Sequence, residues 1–170
     1  MTIVDRLPGT ADVVIRPLHD GQGDADAILA LVDRCSPATL YRRFHGVARG
    51  PRAVELLLSG SGDDSFCAWR GDDCVGIGGL ALGAGGDCGG EGPSGHLGVL
   101  IEDRWQRMGV GSALMAALVV RAREKGLPRL VADIQAENDF LRPLLGRIGP
   151  TSTSFGYGGL TVCIGLAAAA

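Results

Sequence analysis

The sequence predicts an α/β protein: a three-layer sandwich built on a mixed sheet. Three observations carry this. The stretch 96–126, HLGVLIEDRWQRMGVGSALMAALVVRAREKG, passes from a short run of branched apolar residues through a polar, glycine-bearing corner into apolar residues at helical spacing. Gly71-Asp72-Asp73 separates two apolar runs, as the turn of a hairpin does. After residue 96 strand-like runs alternate with helical patterns, so strands separated by a helix run parallel if they are neighbours.

In chain order, residues 13–16 (VVIR) form a short strand ended by Pro17. Residues 24–35 form a helix whose apolar stripe is Ile28, Leu29, Leu31 and Val32, with Asp24 and Asp26 in its positive first turn. Ser36-Pro37 is an N-cap followed by proline at the first helical position, and opens a second helix through residues 38–44. A third covers 51–58, with Val54, Leu57 and Leu58 inward. Residues 65–70 and 74–82 make the hairpin. Gly76, Gly78 and Gly79 weaken its second strand unless something packs against them very closely.

Residues 83–95 (GAGGDCGGEGPSG) are nearly all turn formers and read as a mobile loop. A strand at 97–101 follows, then the corner Glu102-Asp103-Arg104. In the next helix Val110, Leu114 and Leu118 recur at helical spacing, as do Met115, Val119 and Ala122. It ends at Gly126, with Pro128 beyond and Arg121, Arg123 and Lys125 at its negative end. Residues 129–134 are a strand. Glu137 or Asn138 opens a helix over 139–148, which Pro143 either kinks or shortens from its start. Strands at 151–157 and 160–166, joined at Gly158-Gly159, close the chain. Residues 1–11 and 167–170 read as loosely held ends of a single domain spanning 1–170.

Composition narrows the function classes. A net charge of −3 and 5% aromatic residues argue against a nucleic-acid surface. No apolar run reaches ~18 residues and no basic-then-apolar leader opens the chain, so the expectation is a soluble cytoplasmic protein that does not engage a membrane. Five cysteines (Cys35, Cys67, Cys74, Cys88 and Cys163) are an odd number without a CxxC pair. They read as reduced, with no metal site.

Gly109 and Gly111 are the informative residues. A helix start leaves backbone N–H groups unpaired and partly positive, and two absent side chains let an anion such as a pyrophosphate approach them. A glycine turn with no ligand is the competing reading. Two familiar phosphate loops do not fit. Gly111 is followed by Ser112-Ala113 where a Walker loop has Lys-Ser/Thr, and Leu114 stands where a dinucleotide fingerprint has its third small residue.

The run Gln106-Arg107-Met108-Gly109-Val110-Gly111, after a hydrophobic strand and opening a helix, resembles the Q/R-x-x-G-x-G/A signature of the GNAT superfamily of acyl-CoA-dependent N-acyltransferases. The resemblance covers nearly the whole order of elements. It implies the GNAT fold, a three-layer α/β/α sandwich with a mixed, mostly antiparallel seven-stranded sheet. It also implies acetyl-CoA as co-substrate, with its pyrophosphate held by the backbone of the loop from Gln106 through Ser112. The preceding strand, Val99, Leu100 and Ile101, would lie along the pantetheine arm and donate to the thioester carbonyl. Asn138 matches an asparagine that many members place beside the coenzyme. Residues 36–44 (SPATLYRRF) resemble a segment of a bacterial group that includes protein lysine acetyltransferases.

Three departures stand out. Leu145 occupies the place of a general-acid tyrosine, His96 aligns with that group's strand glutamate, and Gly149-Pro150 replaces a closing Gly-Phe. The expected chemistry is transfer of acetyl to a primary amine, of a protein lysine or a small molecule, by direct attack. A lysine ammonium titrates near ~10.4 and must lose a proton first. His96 is the first candidate base, since an unperturbed imidazole titrates near ~6.5, and it equally reads as a plain strand end. Glu102 and Asp103 come second, and otherwise form a solvated corner or pair with Arg104 and Arg107. A non-catalytic acyl-CoA sensor is the alternative function. A homodimer is compatible with the sequence, which carries no readable mark of oligomeric state.

Overall fold

One hydrogen-bonded sheet of seven strands runs through the computed structural model, which describes residues 13–18, 22–59, 64–83, 88, 92–156 and 159–166. The first half holds β1 (Val13–Pro17), α1 (Gln22–Arg34), α2 (Pro37–Phe44), α3 (Gly50–Leu58), β2 (Ser65–Arg70) and β3 (Asp73–Gly83). The second holds β4 (Ser94–Ile101), α4 (Val110–Glu124), β5 (Arg129–Ile134), α5 (Arg142–Gly146), β6 (Thr151–Gly156) and β7 (Gly159–Gly165). The sheet order is β1-β2-β3-β4-β5-β7-β6. Every neighbouring pair is antiparallel except β4 and β5, whose parallel pairing is reached by the crossover through α4. Expectations for residues 1–11, 167–170 and most of the glycine-rich loop lie outside the described residues.

The layers follow from strand alternation. Leu97, Val99 and Ile101 of β4 point to the face covered by α4, joining a core with Leu114, Leu118, Leu130 and Ile164. Leu100 points to the opposite face and packs with Ile28, Leu31, Leu40 and Ala53 beneath α1, α2 and α3. At Gly76 an added Cβ would lie 2.7 Å from Ile101 Cδ1, 3.2 Å from the Leu100 carbonyl oxygen and 3.3 Å from Leu114 Cδ1. Gly76 and Gly78 thus sit where β4 and α4 press closest, which answers the weakness they bring to the strand; Gly79 faces the other side of the sheet, where it lines a cleft.

Two differences from the sequence reading bear on the site, beyond shifts of one or two residues at the ends of elements such as α1, α3 and β3. β4 starts at Ser94, before the apolar run, because Ser94, Gly95 and His96 extend the ladder opposite Gly83, Leu82 and Ala81. The helix expected over 139–148 is a 3-10 turn, Ala136–Leu141, followed by the five-residue α5 with proline in its first turn. Proline is accommodated there because the first turn does not use its missing N–H, so Pro143 moves the helix start instead of kinking it.

Candidate active site

The corner after β4 is built by side chains that reach distant elements. Gln106 donates from Nε2 to the Ile101 carbonyl at 3.1 Å and to Thr39 Oγ1 at 3.0 Å, fixing the loop against the end of β4 and against α2. Asp103 accepts from the Ser36 N–H at 2.8 Å, the Ser36 hydroxyl at 2.6 Å and the Thr39 hydroxyl at 2.9 Å. Ser36 in turn accepts from the Thr39 N–H as the N-cap of α2. Burial raises the Asp103 pKa, but the bonds from Ser36 and Thr39 outweigh it and hold the carboxyl below the ordinary aspartate value.

Pinned this way, the loop turns through two left-handed residues, Arg107 (φ 61°) and Gly109 (φ 89°). Gly109 is the N-cap of α4 and offers no side-chain cap. The first bond within the helix runs from the Ala113 N–H to the Gly109 carbonyl, at 3.0 Å. The amides of Val110, Gly111 and Ser112 therefore form the free positive end. A Cβ on Gly111 would touch only Ile101 Cγ1, at 3.9 Å, among the described residues. Packing among the described residues does not demand a glycine here.

β4 meets β3 along all eight of its residues but meets β5 at only two pairs, Gly95↔Leu130 and His96↔Val131. Beyond His96 the two parallel strands part. Residues 97–101 have no strand partner on the β5 side among the described residues, and the start of α4 lies just past their end. The backbone of Val99, Leu100 and Ile101 borders this opening, and Asn138 lies buried in the 3-10 turn after β5. Arg107 and Met108 are exposed at the corner.

On the face covered by α2 and α3, a cleft of about 520 Å³ reaches the same parting. Its polar lining comes from Arg43, His45 and Ser59 of the helical layer, His96 of β4, Asp133 of β5 and Thr161 of β7. The half-buried His96 imidazole lies on the backbone of Gly83, where a Cβ would come within 2.6 Å of Nε2. His45 caps α2 with φ 52° and also borders the cleft. Asp133 is exposed and accepts from the Thr161 hydroxyl at 2.6 Å. Neither Asp133 nor Arg43 was singled out from the sequence. The SPATLYRRF segment carries the only signal that points to Arg43.

Glu102 corrects the expectation of a solvated corner. It is 4% exposed. One carboxylate oxygen accepts from Arg34 Nε at 3.0 Å and the other pairs with Arg104; Arg107 is not its partner. Arg34 also donates to the Cys74 carbonyl at 2.6 Å. With both oxygens engaged and no place in the cleft lining, Glu102 ties α1 to the end of β4. The reading of all cysteines as reduced is corrected at one pair: Cys88 and Cys163 are joined in a disulfide, their Cα atoms 6.0 Å apart. Cys35, Cys67 and Cys74 are free and buried. Burial, then Asp103 and Glu102, pushes the Cys35 thiol up to about 12, which rules out an ambient thiolate there. Among the described residues no group of His, Cys, Asp or Glu is placed to hold a metal, and no helix is long and apolar enough to cross a membrane.

A mixed sheet whose central parallel strands part beside an uncapped helix start is the GNAT architecture. The chain belongs to the GNAT acetyltransferase family, whose model matches residues 35–149. It is similar in fold to the GNAT domain of S. lividans PAT, at 21% identity and a TM-score of 0.73, covering 91% of this chain and 90% of that one. It is also similar to the ribosomal-protein-S18-alanine N-acetyltransferase from Escherichia coli, at 14% identity and a TM-score of 0.63, covering 93% and 96%. A third likeness is to a structure of the NatC complex bound to Gag peptide and CoA, at 11% identity and a TM-score of 0.66, covering 92% and 99%. No curated protein matches the sequence.

Proposed function

We propose that the protein transfers acetyl from acetyl-CoA to a primary amine, of a protein lysine or a small molecule, by direct attack. The observation that carries this reading is the uncapped start of α4 at Val110, Gly111 and Ser112, opening beside the unpaired edge of β4. The coenzyme pyrophosphate would accept from those amides, and the pantetheine arm would lie between β4 and β5 in place of a missing strand. Asn138, near the β5 side, and Gln106, which holds the loop, complete the coenzyme site. Acceptors in solved relatives include a ribosomal-protein alanine, which fits a family whose acceptor is set by local cleft chemistry.

In the reaction the amine nitrogen attacks the thioester carbonyl carbon, and the carbonyl oxygen becomes an oxyanion held by a backbone N–H of Val99, Leu100 or Ile101. The C–S bond then breaks and the coenzyme leaves as its thiol. His96 accepts the proton the amine sheds, directly or through a water, and lies on the cleft side of the parting where an acceptor would enter. Glu102 takes no part, since both its oxygens are held by arginines. One observation favours a sensor that binds acyl-CoA without turnover. Position 145, in α5, is a leucine buried in the core, so it offers no hydroxyl to protonate the leaving thiolate.

Calorimetry with CoA and thiol release from acetyl-CoA across a panel of amines test the two readings. Binding with turnover supports the transferase, binding alone supports the sensor, and an absence of CoA binding overturns both.

A further inference from the structure

Resting on the transferase reading, we propose that Arg43 is a substrate-recognition residue for a carboxylate, carried either by the amine acceptor or by the far end of the acyl group. Arg43 stands in the last turn of α2, and its guanidinium lies against β4 at Gly98. A Cβ on Gly98 would come within 2.7 Å of Arg43 Cζ, so glycine alone leaves room for it. Gly98 is two residues beyond His96 on the same face of the strand, just past the point where β4 and β5 part. The charge therefore sits next to the candidate base and next to where a thioester would lie.

Nothing on the described protein neutralises this charge. Arg43 makes no hydrogen bond or ion pair among the described residues, and its buried Nε has no acceptor. Its one charged-group contact is with the Phe44 ring, at 5.3 Å. Burial lowers its pKa from the usual guanidinium value. The negative end of α2 offers partial compensation only. Buried guanidinium groups are ordinarily paired, and an unpaired one is costly unless a ligand completes it.

A carboxylate fits that vacancy best. The planar fork of an arginine matches a carboxylate in two parallel bonds. The coenzyme's phosphates are accounted for at the start of α4, beyond the other end of the opening. Asp133 in the same cleft would repel a second dianion but would accept an ammonium. A bare cationic side chain would meet Arg43 unfavourably. The acyl step is unchanged by this: the amide C–N bond forms, the C–S bond breaks, and coenzyme A leaves as the thiol.

The test is a specificity ratio. kcat/KM would be measured for lysine and glutamate against their α-carboxamides with acetyl-CoA, and for succinyl-CoA against acetyl-CoA with one neutral amine. The carboxylate member is expected to be preferred at least tenfold in one arm, and that arm names the source. In Arg43→Met the ratio falls to near one; Arg43→Lys retains part of it, and Gly98→Ala, which displaces the guanidinium, lowers it. No preference in either arm, or a ratio unmoved in Arg43→Met, overturns the assignment. Should the protein bind CoA without turnover, the same pairs are compared by calorimetry on the CoA-loaded protein. A carboxylate preference lost in Arg43→Met then upholds the recognition role while the transferase reading falls.

Discussion

Glu102 separates two roles that its sequence position left open, and Glu102→Gln tests them. The wild-type carboxylate is almost fully buried, while its partners are not: the Arg34 side chain is 29% exposed and that of Arg104 is 61% exposed. Removing one member of a fully buried pair costs about 3–5 kcal/mol, and an exposed pair is worth about 0–1 kcal/mol. The Arg34 pair lies between these limits and the Arg104 pair near the lower one. Together they give a loss of about 2–3 kcal/mol. For a chain of this size that is a fall in Tm of roughly 4–12 °C. Urea unfolding and thermal melting measure the loss, and kcat/KM is taken well below the lowered midpoint. Reduced stability with kcat/KM changed less than about threefold is expected. Unchanged stability with a thousandfold loss of turnover would refute the structural role and make Glu102 the base.

Five further outcomes follow from the same geometry. Gly111→Ala should stabilise α4 by about 0.5–1 kcal/mol, since the new Cβ meets almost nothing, yet weaken CoA binding measured by calorimetry, because the methyl shields the amides. His96→Ala should lower kcat far more than it changes CoA affinity, and unchanged kcat removes His96 as base. Asp103 has a folded-state pKa below its unfolded one, so its contribution is present above the unfolded value of ~3.9 and is lost as pH falls through the folded one. Asp103→Asn should therefore flatten the acid limb of a Tm-against-pH curve below about pH 4. Thiol titration of the unfolded, unreduced protein should count three free cysteines, and five after reduction. Cys163→Ser should cost about 4 kcal/mol by loop-entropy arithmetic, because the bond spans 75 residues.

What the sequence made legible was local chemistry. Ser36-Pro37 wrote the start of α2 because cap and proline act within three residues. Gly71-Asp72 wrote the β2–β3 turn, and Gly109 through Gly111 wrote an accessible helix start. The parallel step between β4 and β5 followed from a helix standing between them. Pro143 marks a disturbance in the sequence, but which of two outcomes it takes depends on whether neighbouring turns can absorb it.

The charges were illegible for a different reason: a side chain's electrostatic role is fixed by partners far away in the chain. Arg34 and Glu102 are 68 residues apart, and either alone reads as surface. Cys88 and Cys163 are 75 apart, and an odd cysteine count hides one pair among three free thiols. Arg43 and Gly98 show the difference most clearly, since neither residue type announces a site. A guanidinium beside an acidic residue is structure, whereas one laid on a glycine with no acceptor is what the proposed carboxylate site rests on. Only the fold decides which of these an arginine becomes. Along β4 the same logic separates near neighbours: at Glu102 the charge is answered by Arg34 and Arg104, whereas at Gly98 the Arg43 Nε has no acceptor among the described residues.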